Sequence, residues 1–232
     1  IRNMATTAGN ILQRTRCPYF RDNVSPCNKR VPGSGCAARA GYHRGHAILG
    51  TSEACIAVHP SDLCVSLAVL DAIVTTQQEN RGRRIPFGEF HLLPRDTPEK
   101  ENVLAPGELI TAVEIPPLPA GARSWYVKAR DRAGYEFALA SAGVVLRGGA
   151  GRVGDIRIAR GGVGTKPWRC PDAENFLHGK PPTGETFSRA ASIALESAEL
   201  LPDNAFKRPL MTRVLVHTLE TLARGQPAVR EI

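Results

Sequence analysis

The pattern of apolar and polar positions divides the chain into three parts. Residues 1–64 are rich in Gly, Pro, Arg and Cys and have little periodicity, so they predict loops that something other than an apolar core holds in place. Residues 65–120 and the residues after them show more regular patterns. The best boundary between these two parts is Pro116–Gly121, whose three prolines and final glycine favour a linker.

The middle part predicts one helix and one strand. The apolar run Val65–Val74 is typical of a buried helix, and Ser61 or Asp62 would supply its N-cap. A short exposed region is expected to begin at Arg84–Phe87. Glu108–Ile115 alternates apolar and polar residues as a half-buried strand does, and the prolines that follow would end it.

The last part predicts an antiparallel meander followed by two helices. Three segments suit strands, with a glycine-rich turn at 148–151. These segments are residues 124–130, 137–146 and 153–159. The helices are expected at Thr186–Leu200, ended by Pro202, and at Arg208–Arg224, capped by Gly225.

The composition is that of a globular protein. Of the 232 residues, 42% are apolar and 22% are charged, which argues against wholesale disorder. No apolar run approaches the ~20 residues that span a bilayer, so we expect no membrane span. The chain starts at Ile1 with no export leader, which leads us to expect processing or a longer parent polypeptide.

The net charge of +8 raises the question of a nucleic-acid partner. The basic residues are spread along the chain, with only short clusters such as Arg81–Arg84, and few aromatic residues accompany them for base stacking. We therefore expect a solvated surface, or a face that meets an acidic partner subunit, and no nucleic acid.

Four of the six cysteines lie close together in the sequence, at Cys17, Cys27, Cys36 and Cys55. Disulfides fit the even number, although a chain with a sound core does not need them. Zinc sites usually contain a close pair of cysteines, and none occurs here. An iron–sulfur cluster needs four thiolates and tolerates wide spacing when Gly- and Pro-rich loops wrap it. Spacing alone leaves all three alternatives open.

The remaining thiols and the histidines carry weaker signals. Cys64 and Cys170 stand apart, and we interpret them as unligated core or surface thiols. Three histidines near the cysteines could be neighbours of a cluster, but we interpret them as hydrogen-bonded loop residues. They are His43, His46 and His59. His217, on an apolar helical face, is interpreted as a core residue.

Four motifs occur in an informative order. They are IRNMATTAGN at 1–10, SDL at 61–63, YVKARDR at 126–132 and GGVGTKPWR at 161–169. Each resembles a motif of the FAD-binding medium subunit of molybdenum hydroxylases. That family includes xanthine dehydrogenase, carbon monoxide dehydrogenase and aldehyde oxidoreductases. Together the motifs cover nearly the whole chain.

The cysteine segment resembles one branch of this family. Most medium subunits pass directly from the Gly-Asn loop to the Ser-Asp motif, whereas a subset inserts four cysteines that carry an extra [4Fe-4S] cluster. Residues 14–21, 26–30, 33–36 and 46–52 are most similar to the periplasmic-type bacterial aldehyde oxidoreductase subunit. The benzoyl-CoA-reductase-like branch is the nearer alternative. The resemblance implies that Cys17, Cys27, Cys36 and Cys55 bind the cluster.

The resemblance also implies a set of FAD-binding residues. Ser61 and Asp62 would hold a polar part of the FAD, Ile110 would pack against the isoalloxazine, and Lys128 would place a positive charge beside it. The opening loop would contact the cofactor through Thr6, Thr7, Ala8, Gly9 and Asn10. Ala8 stands where the family commonly has glycine, so its methyl group would displace the backbone or strain a positive φ. Taken singly, Asp62 could equally be a helix N-cap, Lys128 a surface charge and Ile110 a strand core residue.

The fold that the resemblance implies is α+β. Residues 1–120 would form the second part of a PCMH-type, vanillyl-alcohol-oxidase-like FAD-binding domain, with an iron–sulfur insertion at about 14–58. Residues 121–232 would form a carbon monoxide dehydrogenase flavoprotein-like C-terminal domain of antiparallel sheet and helices. The family's glycine-rich pyrophosphate loop has no match here. We therefore expect this chain alone to bind FAD weakly, and the preceding segment, added in trans, to restore binding.

The resemblance implies an electron-transfer subunit of a heterotrimer. A large subunit with molybdenum cofactor would oxidise aldehydes to carboxylic acids, and a small subunit with two [2Fe-2S] clusters would relay electrons to FAD in this chain. An external acceptor would receive them, and no catalytic residue here would touch the aldehyde. The alternatives are the equivalent subunit of a xanthine dehydrogenase, carbon monoxide dehydrogenase or hydroxybenzoyl-CoA reductase, or a zinc-stabilised basic binding module without redox activity. The compartment, periplasmic or cytoplasmic, stays open.

Overall fold

The computed structural model describes residues 3–149 and 151–225, so the first two residues of the opening motif and residue 150 of the glycine turn lie outside it. The first half contains α1 (Thr7–Ile11), α2 (Pro18–Arg21), α3 (Ala37–Ala40), α4 (Asp62–Val69), β1 (Ile73–Gln78), β2 (Arg81–Pro86), α5 (Phe87–Phe90) and β3 (Leu109–Glu114). The second half contains β4 (Arg123–Ala129), β5 (Ala140–Gly149), β6 (Arg152–Gly161), β7 (Trp168–Arg169), α6 (Pro171–Leu177), α7 (Gly184–Ala194) and α8 (Lys207–Ala223). None of the described helices has the length and apolar character needed to cross a bilayer.

Helix α4 begins where the sequence predicts and ends earlier. Ser61 is its N-cap, because its Oγ accepts a hydrogen bond from the Cys64 amide at 3.1 Å. The helix stops at Val69, and Asp71 takes a left-handed conformation with φ of +50°. The prediction of a helix up to Val74 was therefore wrong. Its last residues belong to β1, where β-branched side chains suit the extended backbone.

The first sheet is antiparallel, with the order β2-β1-β3. Strand β3 confirms the strand expected at Glu108–Ile115. The exposed region expected from Arg84 was only partly right, because Arg84 and Pro86 are exposed, whereas Ile85 inside β2 and Phe87 at the start of α5 are buried. The four residues Arg81–Arg84 are exposed and mostly basic, so β2 offers no apolar alternation that a sequence pattern could detect.

The second sheet is the predicted meander, with the order β4-β5-β6-β7. Helices cover both of its faces. Ala140 and Val144 of β5 pack into a core with α6, α7 and α8, whereas Val145 faces a second core that contains α4. Residues 140–146 are therefore buried without interruption, which explains why β5 has an apolar, small-residue sequence without alternation.

Of the two C-terminal helices, α7 ends six residues before its predicted end, and α8 agrees with its predicted bounds to within one residue. Helix α7 begins after the N-cap Thr183 and ends at Ala194, so residues 195–200 are not helical as predicted. Helix α8 ends as predicted, with Gly225 at φ of +77°. The assignment of His217 to the core was wrong, since the side chain is exposed on α8.

Helix α4 approaches the second sheet closely, and this contact generates a stability prediction. A Cβ added at Gly161 would overlap Cγ2 of Val65 and lie 2.6 Å from Oγ of Ser141. Because overpacking a rigid contact is destabilising, we expect Gly161→Ala to lower the free energy of unfolding by about 1–3 kcal/mol. Urea denaturation of the variant measures this change.

The matched control is Gly149→Ala in β5, where an added Cβ would have no neighbour within 4 Å. The control should change the free energy of unfolding by no more than about 0.5 kcal/mol. Equal stability of the two variants would show that α4 does not need the glycine for its close approach.

Candidate functional site

Four cysteines that are far apart in the sequence meet around one small enclosed cavity. Cys17, Cys27, Cys36 and Cys55 all line it. Cys17 and Cys36 precede the first turns of α2 and α3, and Cys27 faces Cys36 in an isolated antiparallel bridge. All six cysteines of the chain are free thiols.

Polar contacts fold the loops that carry these cysteines. The loop between Cys27 and Cys36 closes on itself, because the amide of Asn28 donates to the Gly35 carbonyl at 2.7 Å and the amide of Gly35 donates to Asn28 Oδ1 at 2.8 Å. Gly35 has φ of +98°, a conformation that favours glycine. The Arg30 guanidinium donates to three loop carbonyls, those of Tyr19, Phe20 and Ser25. The sequence correctly predicts that something other than an apolar core holds this segment.

The spacing of the sulfurs bears on the kind of metal that they could hold. Zinc binds sulfur at about 2.3 Å in a tetrahedron, which puts ligand sulfurs about 3.8 Å apart. Among the described residues, no three of the four cysteines form a group close enough to hold a single metal ion. A polynuclear cluster binds each thiolate through a different iron and therefore takes sulfurs that are farther apart.

Burial and nearby positive charge act in opposite directions on the thiols. Burial raises the pKa of Cys17 to about 11 and raises the pKa of Cys55. The Lys29 ammonium and the amide of Ala57, which donates to Cys55 Sγ at 3.4 Å, oppose the shift at Cys55. The Cys17 and Cys55 thiols therefore keep their protons until a metal replaces them, as in sites where ligation and deprotonation are coupled.

A larger cavity of about 350 Å³ adjoins the thiol cavity. Cys17 belongs to the wall of both cavities. Ser61 and Asp62 line the larger cavity near Cys17, together with His46. The segment that follows β4 closes another part of the wall from Glu136 to Leu139. The two cavities therefore meet at the Cys17 side chain.

The predicted flavin residues fall into two groups, those that line the larger cavity and those that do not. Ser61 and Asp62 form the first group. Ser61 Oγ donates to Asn10 Oδ1 at 2.6 Å, which ties the opening segment to the cavity wall. Helix α1 carries the other opening residues and packs against α4 and against β3, the strand of Ile110. Thr6 is the N-cap of α1, since its Oγ1 accepts from the Gly9 amide at 2.9 Å. In the part of the chain that the structure describes, the opening residues, Ile110 and Lys128 do not line the larger cavity.

Ala8 does not suffer the strain expected from its sequence position. Thr7, Ala8, Gly9 and Asn10 are helical residues of α1, and Ala8 is not among the non-glycine residues with positive φ. The expectation of strain was therefore wrong, because a helical backbone accepts a methyl group without cost.

Asp62 is an anchor between α4 and β4. Its Oδ2 accepts from Lys128 Nζ at 2.7 Å, and its Oδ1 accepts from the Tyr126 hydroxyl at 2.8 Å. Lys128 is therefore paired with a carboxylate, which argues against its interpretation as an isolated surface charge. The pair is partly exposed, with side-chain exposures of 20% for Lys128 and 38% for Asp62, so solvent weakens the attraction.

Two contacts at the larger cavity were not foreseen. Arg44 forms a bidentate ion pair with Asp131 at 2.6 and 2.7 Å, and both residues line the cavity. His46 Nε2 lies 3.1 Å from Cys17 Sγ. Both contacts join residues far apart in sequence, so no local spacing could reveal them. His46 lies in a loop, and its ring contacts one of the four cysteines.

A second group of potential ligands lies beneath α1. The donor atoms of His59, Cys64 and His91 are within 4.8 Å of one another. The His91 ring already donates from Nε2 to the Ile11 carbonyl at 3.1 Å, and the two imidazoles pack edge to face. Burial and the nearby charges of Lys29 and Lys166 lower the pKa of both imidazoles. Each imidazole makes a hydrogen bond through one ring nitrogen, whereas Nε2 of His59 and Nδ1 of His91 are buried and have no partner among the described residues.

Comparison with known proteins matches both halves of the chain. Residues 1–118 match the FAD binding domain in molybdopterin dehydrogenase, and residues 125–222 match the CO dehydrogenase flavoprotein C-terminal domain. The chain is 48% identical over 227 residues to the aldehyde oxidoreductase FAD-binding subunit PaoB of Escherichia coli (strain K12), covering 97% of this chain and 68% of that subunit. It is 32% identical over 120 residues to the glyceraldehyde dehydrogenase medium chain of Sulfolobus acidocaldarius, covering 52% and 40%.

Solved structures agree with these matches. A carbon monoxide dehydrogenase from Hydrogenophaga pseudoflava superposes with a TM-score of 0.63 at 25% identity, covering 71% of this chain and 57% of the other. Quinoline 2-oxidoreductase from Pseudomonas putida 86, at a TM-score of 0.61 and 24% identity, supports the fold alone and covers 78% and 59%. The chain thus spans about two thirds of the E. coli subunit and 40–59% of the other three proteins.

The buried His91 predicts how stability depends on pH. Burial lowers its pKa from 6.5 to about 4, and its Nδ1 has no partner within the described ranges. Below pH 6.5 the unfolded chain therefore binds more protons than the folded one, and stability is lost as the pH falls towards 4. We expect this residue to contribute a loss of about 3 kcal/mol over that range, measured by urea denaturation at several pH values.

The variant His91→Phe keeps an aromatic ring against Phe87 and Phe90 and removes the titrating group. Its free energy of unfolding should fall less steeply between pH 6.5 and 4 than that of the parent protein. His178→Phe, at an exposed position, is the control and should keep the parental slope. An unchanged slope in the His91 variant would contradict the assignment.

Proposed function

This chain belongs to the FAD-binding subunits of molybdenum hydroxylases, and we propose that it is the flavin and iron–sulfur electron-transfer subunit of an aldehyde oxidoreductase. The two family matches and the E. coli relative confirm the family and the α+β fold expected from the motifs. The chain is accordingly a subunit of an oxidoreductase. The aldehyde chemistry, the cluster and the route of the electrons belong to the proposal.

The observation that carries the proposal is the shared wall of the two cavities. Four free thiols surround the smaller cavity, and Cys17 also lines the larger one beside Ser61 and Asp62. The larger cavity is of the size that proteins use to enclose one organic ligand. This geometry supports a flavin in the larger cavity next to a [4Fe-4S] cluster that Cys17, Cys27, Cys36 and Cys55 bind. The Cys17 side chain would then lie between the cluster and the flavin.

The residues of this chain have distinct tasks in that arrangement. When bound, FAD can accept two electrons and an iron–sulfur cluster one, so together they connect hydroxylation at a partner to one-electron carriers. Asn10, Ser61 and Asp62 offer an amide, a hydroxyl and a carboxylate near the flavin cavity. Asp62 holds Lys128 and Tyr126 in place, and Lys128 supplies positive charge behind it.

We assign the opening segment to flavin binding in the same proposal. Thr6, Thr7, Ala8, Gly9 and Asn10 lie on or next to α1, one hydrogen bond from Ser61. Ile110, half-buried in β3 against which α1 packs, would meet the flavin from the same side. The ends of the FAD that the larger cavity does not enclose would extend towards this segment.

The proposed partners follow from the family. A large subunit with molybdenum cofactor would oxidise the aldehyde, a small subunit with [2Fe-2S] clusters would deliver electrons, and an external acceptor would remove them. We assign no residue of this chain to contact with the aldehyde. The E. coli relative, named an aldehyde oxidoreductase subunit, favours this substrate class over xanthine, carbon monoxide or hydroxybenzoyl-CoA.

A zinc-stabilised module without redox activity is the alternative from a different class. The four cysteines are not among the described ligand groups that are close enough to hold a single metal ion, which favours a cluster of several irons over zinc. Visible absorption and metal analysis of the purified protein distinguish the two directly. A yellow-brown, iron-containing protein supports the proposal, and a colourless protein that contains zinc and no iron would exclude it.

The assignment of cluster ligands is tested by cysteine substitutions. Cys55→Ser removes one of the four thiols around the cavity, and we expect the protein to lose most of its cluster iron because a serine oxygen is a poor ligand for this cluster. The measurements are iron and acid-labile sulfide per protein, with the visible spectrum.

Cys64→Ser is the matched control, because Cys64 is equally buried but lies outside the thiol cavity. It should retain the iron of the parent protein. Full iron in Cys55→Ser, or loss of iron in a folded Cys64→Ser, would show that the ligand set is wrong.

A further inference from the structure

One imidazole lines the larger cavity and faces a sulfur that lines both cavities. His46 is buried, and its Nε2 is 3.1 Å from Cys17 Sγ. Its other ring nitrogen, Nδ1, is also buried and has no hydrogen-bond partner among the residues that the structure describes. A neutral imidazole carries its single ring proton on one of these two nitrogens.

The position of that proton follows from the surroundings. A proton on Nδ1 would be buried without an acceptor, which is costly. A cysteine bound to iron has lost its own proton and can only accept a hydrogen bond. With the cluster present, the stable tautomer therefore has its proton on Nε2, directed at the Cys17 sulfur.

Residues from the C-terminal half hold the backbone on both sides of His46. Lys207 Nζ donates to the Gly45 carbonyl at 3.0 Å, and Asn204 Nδ2 donates to the Ala47 carbonyl at 3.1 Å. Lys207 and Asn204 are fully buried. The backbone amide of His46 donates to the His43 carbonyl at 2.9 Å. The backbone of His46 therefore cannot shift without breaking buried hydrogen bonds, which fixes the point from which the ring reaches the sulfur.

We propose that His46 is the positioning residue that sets the reduction potential of the cluster, by donating a hydrogen bond from Nε2 to the Cys17 sulfur. The inference rests on the proposed cluster and goes beyond it, because it assigns control of the potential to one side chain. Reduction adds one negative charge to the cluster and its thiolates. A fixed N–H donor at a ligand sulfur stabilises that charge more than it stabilises the oxidised state, so it raises the potential.

The location of this hydrogen bond gives it a functional consequence. Cys17 and His46 both line the larger cavity, so the sulfur that receives the hydrogen bond is on the side of the cluster that faces the proposed flavin. The difference between the two reduction potentials decides on which centre an electron rests. His46 would therefore bias electron exchange between the cluster and the flavin.

The test compares three variants of the cluster-loaded protein. His46→Leu removes the donor, His46→Gln places an amide N–H at nearly the same position, and His178→Leu is the control at an exposed histidine. Iron per protein is measured first, and the cluster potential is then measured by titration monitored with electron paramagnetic resonance. We expect His46→Leu to lower the ratio of reduced to oxidised cluster about tenfold at a fixed potential, which is a shift of about 59 mV to more negative values.

His46→Gln and His178→Leu should keep the potential of the parent protein. An unchanged potential in His46→Leu, or equal shifts in the Leu and Gln variants, would overturn the proposal. Absence of iron from the parent protein would instead refute the cluster itself, so the two failures are distinguishable.

A second measurement tests the proposal even if His46→Leu does not retain the cluster. Protein labelled with ¹⁵N-histidine is reduced and studied by pulsed electron paramagnetic resonance. A histidine nitrogen coupled to the cluster is expected in the parent protein and should be absent from cluster-loaded His46→Gln. Absence of the coupling in the parent protein would overturn the proposal whatever the fate of the Leu variant.

Discussion

The thiol cavity has almost no apolar core of its own, and this constraint governs the rest of the structure. A loop segment without a core keeps its shape only if polar groups fix its backbone. Arg30 does so from inside the segment by donating to three carbonyls. Glu101, from the loop between α5 and β3, binds both Arg14 and Lys29. Lys207, the first residue of α8, and Asn204, in the short turn before it, do so from the second half of the chain.

These supports come from both halves of the chain, so the shape of the thiol cavity depends on how the halves are packed. Helix α4 is the element that joins them. Its buried side chains belong to the core below β1, and they also contact the face of the second sheet that carries Val145 and Ala159. Its first turn presents Ser61 and Asp62 to the larger cavity. Packing of one short helix therefore sets the position of the proposed flavin residues relative to Cys17.

The positively charged side chains near the sulfurs both fix the loops and place positive charge beside the thiols. The segment is rich in Arg and Lys, and the structure uses several of these side chains to bind carbonyls or Glu101 and leaves the charge of Lys29 close to Cys55. Positive charge of this kind lowers the cost of placing thiolates in a buried cavity. The net charge of +8 thus has one local explanation that involves no nucleic acid.

The sequence by itself determined the family, the antiparallel meander, the last helix with its Gly225 cap and the Ser61 N-cap, because each depends on a local pattern or a motif of neighbouring residues. It did not reveal the end of α4 at Val69 or the strand β2, since the apolar run 65–74 does not show the left-handed Asp71, and exposed arginines hide strand pairing. Only the tertiary structure decided that the four cysteines surround one cavity, that Cys17 also lines the larger one, and that His46 faces its sulfur while Lys207 holds the loop. These contacts join residues up to 162 positions apart, and at that separation the partner of a side chain is set by packing and not by spacing along the chain.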